Sequence, residues 1–158
     1  MAITATAGAT LAIGTEGFIP SPDNDSSAYG TDTYVAIGEI ETMGEIGDEA
    51  TVIEVLTIGD ARTRNLKGSR NAGVMTVTCI RDDEDAGQQA MILAEASSLP
   101  YPFKIVINNK ATAMGTGAIR YFRGLVTSKR EALGGANDPV KITFNVGVNT
   151  AVTSVAAT

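Results

Sequence analysis

"PVKITFNVGV", Pro139 to Val148, alternates apolar and polar residues along its whole length. Val140, Ile142, Phe144, Val146 and Val148 share one parity, and Lys141, Thr143 and Asn145 the other. A period of two sends successive side chains to opposite faces of a pleated strand, so one face meets a core and the other meets water. "VMTVTCI" (74–80) repeats the pattern: Met75, Val77 and Cys79 alternate with Thr76 and Thr78. Two half-buried strands of this kind predict an antiparallel sheet with one wet face.

Working outward, "TLAIG" (10–14), "TVIEVLTI" (51–58), "FKIVIN" (103–108) and "AIRYFRGLVTSKREAL" (118–133) also read as strands. "YVAIGEIETMGEI" (34–46) reads as one more, with a bulge at Gly38, because Val35 and Ile37 share a parity that Ile40 and Ile46 do not. One helix is predicted, over 84–97. Asp85 is its N-cap, with Gln88 three residues on as in a capping box. Ala86, Ala90, Leu93, Ala94 and Ser97 mark its apolar face, and "LPYP" ends it. The fold class that follows is mainly β: an antiparallel β-sandwich or partly open barrel with one flanking α-helix. The chain divides into an N-terminal arm and loop (1–33), a β-sandwich domain (34–148) with a long loop at 59–73, and a C-terminal arm (149–158) whose "NTAVTSVAAT" has no packing signal of its own. Residues 15–32 read as a loop rich in turn formers.

At 158 residues the chain fits one domain, and burial of roughly 70% of its unfolded surface supports a core without staples. Aromatic residues make up only 5% and Trp is absent, so a core built from Val, Ile, Leu, Ala and Met is expected. The single cysteine excludes an internal disulfide framework. "MAITATAGATLAIG" lacks the basic start of a secretory signal, and no apolar run reaches membrane-spanning length, which suits a soluble cytoplasmic product.

Net charge is −6, distributed unevenly. Residues 1–100 hold 16 acids and 5 bases, residues 101–158 hold 2 acids and 7 bases, and no base lies between Glu16 and Glu54. The acidic whole repels free nucleic acid, whereas copies packed side by side can pair opposite faces.

Chemistry-bearing constellations are scarce. The chain has no histidine, which removes the commonest general base and metal ligand. One Cys and no His cannot make a zinc site. "DDED" (82–85) reads as the acid-rich start of a helix rather than a cation site. Glu39, Glu41 and Glu45 read as acids on the wet side of a strand rather than a glycosidase pair. The expectation is a non-enzyme with no catalytic residues, cofactor or metal.

One stretch stands out. "TIGDARTRNLKGSRNAG" (57–73) carries Arg62, Arg64, Lys67 and Arg70, with Asp60 its only acid. A nucleic-acid loop would interleave aromatic residues for stacking, and this one has none. A solvated hairpin tip is shorter as a rule. The hairpin tip stays the default reading, and beside it stands a third, a docking arm that meets the acidic surface of another copy, with Glu39, Glu41, Glu45, Asp48 and Glu49 as candidates.

The order "YVAIGEIETMGEIG", "VIEVLTIGDARTRNLKGSRNAGVMTVTC", "DDEDAGQQAMI" and "FRGLVTSKREALGGANDPVKITFNVGV" resembles the tail tube (major tail) proteins of long-tailed bacteriophages, over roughly residues 34–148. The shared pieces are the aromatic-led "IGE" strand, Gly68 and Gly73 around the long loop, the aspartate-then-"GQ" helix start, and "FRGLV". The resemblance implies a virion protein of the tail, made in the bacterial host cytoplasm. It implies six copies in a ring whose inner sheets join into a barrel, and rings stacked into a tube that conducts DNA without binding it specifically. It implies further tail partners: tape measure, terminator and distal tail proteins. Glu39 and Glu41, with Thr76 and Thr78, are then candidates for the channel lining. A tube protein of a phage-derived injection device or gene transfer agent, and an unrelated β-sandwich binding module, are the competing readings.

Overall fold

The computed structural model describes residues 3–17 and 26–158. Ten strands and two helices follow one another among them: β1 (Thr10–Ile13), α1 (Ser26–Tyr29), β2 (Val35–Ala36), β3 (Ile40–Thr42), β4 (Glu49–Val55), β5 (Arg64–Asn71), β6 (Val74–Ile80), α2 (Ala86–Ala96), β7 (Tyr101–Val106), β8 (Ile119–Ala132), β9 (Lys141–Val148) and β10 (Thr153–Val155). The chain thus forms the mainly β, antiparallel fold that its alternation dictates. Part of the 15–32 loop, residues 18–25, and the first two residues of the expected arm lie outside the described residues.

The two alternating strands lie side by side. β6 pairs with β9 from Val74 opposite Gly147 to Ile80 opposite Lys141, so Met75, Val77 and Cys79 share a face with Val146, Phe144 and Ile142. All six are buried. Val140 falls before β9 and is 37% exposed, so the buried run begins at Ile142. Sheet order is β2-β1-β7-β8-β9-β6-β3, with β10 against β8. β8 is the spine. Its first half pairs with β7, and its second half pairs with β9 across an irregularity between Val126 and Ser128. Phe103 of β7 and Phe122 of β8 stack at 5.2 Å inside the fold.

The stretch 34–46 is not one bulged strand. β2 and β3 sit at opposite ends of the strand order, although only residues 37–39 separate them. Three residues span at most about 10 Å, so the sheet curls until its two ends nearly meet. The turn between them holds Glu39 at φ 53, the one described non-glycine residue with positive φ.

Helix α2 is fixed against this turn. Asp85 caps it as expected, accepting from the Gln88 backbone N–H at 2.7 Å, and the same carboxylate accepts from Gly38 N–H at 3.1 Å. Gln88 is fully buried and donates to the carbonyls of Gly38 (3.2 Å) and Ile80 (2.8 Å), while its oxygen accepts from Asp82 N–H at 3.1 Å. Gly87 is needed for the approach: a Cβ there would lie 2.1 Å from the Ala36 carbonyl oxygen. The buried side of the helix is therefore Gly87, Gln88, Met91 and Ala94, a face rotated from the expected one, and Leu93 is 69% exposed.

Two segments depart from their sequence reading. Residues 51–58 do not join the main sheet. β4 pairs only with β5, as a separate two-stranded ribbon, and most of the expected 59–73 loop is β5. The tail contributes β10, which runs along Ile119–Tyr121 on the side of β8 that β9 has left.

Candidate assembly surfaces

The wet face of β8–β9–β6–β3 is a polar ladder. Thr76 donates to the Asn145 side-chain oxygen at 2.9 Å, and the Asn145 amide donates to Ser128 at 2.9 Å. Thr78 and Thr143 bond at 3.3 Å. Arg130 stands opposite Thr143, and Thr42 opposite Thr78, so one row reads Thr42, Thr78, Thr143, Arg130 across four strands. Lys141 bonds Glu41 at 2.8 Å at one end of the face. Thr76, Thr78 and Glu41 therefore come together. Ser128 and Arg130 were missed by sequence reading, because the irregularity after Val126 shifts the parity of β8 by one residue.

Both long edges of this four-stranded unit lack a partner among the described residues. β7 leaves β8 at Gly124, so Val126–Ala132 has a strand on one side only. β3 is the last strand of the order. Paired edges normally protect a sheet, and unpaired ones template association.

The ribbon β4–β5 is the second surface. Ile53 opposes Leu66, and Val52 opposes Lys67. Val52 (61%), Ile53 (48%), Leu56 (74%), Ile58 (110%) and Leu66 (56%) are all exposed. An apolar surface of this extent marks a contact site. The basic residues are legible in the sequence, while the apolar ones have the composition of a core strand and are exposed because the ribbon stands apart from the main sheet. Asp60 pairs with Arg64, and Arg70 lies 4.0 Å from Asp48, so two of the four cations meet acids of the same ribbon. Arg62 and Lys67 make no ion pair among the described residues, and Glu49 stands opposite Asn71 at the base. The docking set of Glu39, Glu41, Glu45, Asp48 and Glu49 is thus split: Glu41 and Asp48 are engaged within the subunit, and Glu39 and Glu45 are exposed without an ion pair among the described residues.

Cys79 is fully buried; burial, then the Asp85 carboxylate, pushes its thiol up to about 11. Among the described residues no three His, Cys, Asp or Glu side chains gather as a metal site, and no helix is long and apolar enough to cross a membrane.

No protein-family model and no curated protein sequence matches the chain. Solved structures do match in shape. A chain of the anti-feeding prophage baseplate, solved with six-fold symmetry, is similar with a TM-score of 0.72 and 12% identity, over 99% of this chain and 98% of that one. A subunit of the tail of a gene transfer agent particle, refined with C6 symmetry, gives 0.62 and 17% identity, over 92% and 96%. The SPP1 tail tube protein gives 0.60 and 17% identity, over 94% and 77%. The chain has the fold of phage tail tubes and their relatives.

Proposed function

We propose that this protein is a structural tube subunit: copies join edge to edge into hexameric rings, and the rings stack into a phage tail tube through which DNA passes. The observation that carries this reading is the four-stranded unit β8–β9–β6–β3, which has a polar face, an apolar face and two unpartnered edges. Strands in this unit alternate in direction. A copy related by rotation about an axis along the strands presents β8 to β3 in the antiparallel sense, so the alternation continues from copy to copy. Such a contact is heterologous and closes into a ring when the rotation allows. The polar ladder then lines the channel. Apart from Arg130, the ladder consists of neutral hydroxyls and amides, with Glu41 neutralised by Lys141, and so offers little to hold phosphates by counterion release. Stacking falls to the ribbon, whose exposed Ile, Leu and Val side chains need cover. The tube ends would meet other tail proteins: tape measure, terminator and distal tail.

The likeness to the anti-feeding prophage and gene transfer agent structures favours, as second reading, a tube in a phage-derived device of that kind. Genes for a capsid and a terminase beside this one would separate a phage from an injection device. Negative-stain microscopy of the purified protein tests the tube itself. Rings or tubes of uniform diameter are expected. A protein that stays monomeric at every concentration and ionic strength overturns the proposal.

A further inference from the structure

We infer that the seam between neighbouring copies is specified by charge, with Arg130 of one copy entering between Glu39 and Glu45 of the next. The inference rests on the ring reading and adds its partner residues. On the free strand segment Val126–Ala132, Lys129 lies 3.7 Å from Glu95, and Glu131 lies 3.8 Å from Arg81. Arg130, between them, points to the polar face and has no ion-pair partner among the described residues. At the opposite edge, Glu41 is taken by Lys141, while Glu39 and Glu45 are exposed and without an ion-pair partner among the described residues. A single sheet thus ends in an unpaired cation on one side and unpaired anions on the other.

The acidic edge is also shaped for a strand. β3 opens onto a cleft of about 240 Å³, lined by Ile40, Glu41, Thr42 and Met43 on one side and by the segment 6–9 on the other. An extended segment entering there would pair its backbone with β3, as in strand addition. The row Thr42, Thr78, Thr143, Arg130 shows which residues follow each other across the sheet. Its continuation carries Arg130 of the entering copy beside Thr42, with Glu39 just before β3 and Glu45 just beyond it. A second copy is the occupant because it supplies both the unpaired edge and the complementary charge. Like charges juxtaposed at such a seam are repulsive enough to block the wrong contact.

The test uses two variants of the full chain, Arg130→Glu and the double variant Glu39→Lys/Glu45→Lys. Assembly is followed by sedimentation and negative-stain microscopy, and folding by circular dichroism. Each variant alone is expected to stay folded and to need a protein concentration at least about tenfold higher than wild type to assemble, which corresponds to about 1.4 kcal/mol. Mixed in equal amounts they should assemble again, because alternating copies restore opposite charges at every seam. Arg130→Ser is the milder control, expected to assemble with weaker dependence on salt. Variants that assemble singly like wild type, or a mixture of folded variants that stays apart, would overturn the inference. Should a variant unfold, an Arg130→Ser protein with wild-type assembly and salt dependence would overturn it as well. Failure of the wild-type chain to assemble would count against the ring reading instead.

Discussion

The Gln88 side-chain amide donates to the Gly38 carbonyl at 3.2 Å, across fifty residues of sequence. That bond, with its companion to Ile80 at 2.8 Å, joins the helix to the turn between the first and last strands of the curled sheet. Gln88 thus ties the helix to both the turn and β6.

Replacing it tests this. Gln88→Ala leaves the part-buried carbonyls of Gly38 and Ile80 without their donor, and unsatisfied buried groups cost about 1–3 kcal/mol each. A stability loss of about 3 kcal/mol is expected in urea unfolding of the isolated subunit. A loss below 1 kcal/mol, by about the error of the method, would show that water replaces the amide.

Gly87→Ala should be worse than its size suggests. The added Cβ meets the Ala36 carbonyl oxygen at 2.1 Å, and that oxygen is backbone. Overpacking of this kind costs about 1–3 kcal/mol or more. Thermal melting should show it, together with weaker amide protection at Ile37 and Gly38. An unchanged melting temperature would mean that the helix can shift freely.

The ribbon should matter to assembly and not to folding. Its ion pairs are exposed and contribute about 0–1 kcal/mol each. Changing Arg62, Arg64, Lys67 and Arg70 together to serine is expected to leave unfolding unchanged and to shorten or abolish tubes. Length distributions in negative stain, taken across a salt series, check this. Normal tubes at all salt concentrations would remove the basic residues from the stacking contact.

Alkaline pH should weaken the fold. Cys79 keeps its proton to about pH 11 when folded, against 9.0 ordinarily, through burial first and Asp85 second. The unfolded chain ionises earlier, so this contribution is full below pH 9 and is lost as pH rises toward 11. Burial, then Asp32, raises Tyr34 as well and extends the loss upward. Urea midpoints should therefore fall over this window. Cys79→Ala should start lower, because it leaves a cavity, yet show a shallower fall. Parallel curves for the two proteins would contradict the assignment.

Much of the fold was legible because half-buried strands must alternate. Residues 74–80 and 139–148 showed their two faces with no tertiary information beyond the need for a core, whereas their pairing with each other appears only in the structure. The helix start was equally local: Asp85 caps the backbone N–H of Gln88, three residues away. The rotation of the helix was not local. Leu93 is as apolar as any core residue, and only the close approach at Gly87 and the bonds of Gln88 turn it outward, while Ala90 stays partly buried against the core.

The ribbon was misplaced for a related reason. "TVIEVL" has the composition of a core strand, and nothing within it says that its partner is β5 alone. Its apolar side chains await cover that a single copy does not give. The wet ladder was half read: Thr76 and Thr78 by their alternation, Ser128 and Arg130 not, because the irregularity after Val126 inverts parity without any glycine or proline to mark it.

An antiparallel β protein with one capped helix and a segregated charge was readable from the chain alone, since alternation, capping and composition act over a few residues. The tertiary structure alone decided that 34–46 breaks into two strands at opposite ends of one sheet, and that Arg130 and the acids near β3 stand at its two open edges. Those are relations between segments far apart in the chain, set by how the whole sheet curls over its core rather than by any local preference.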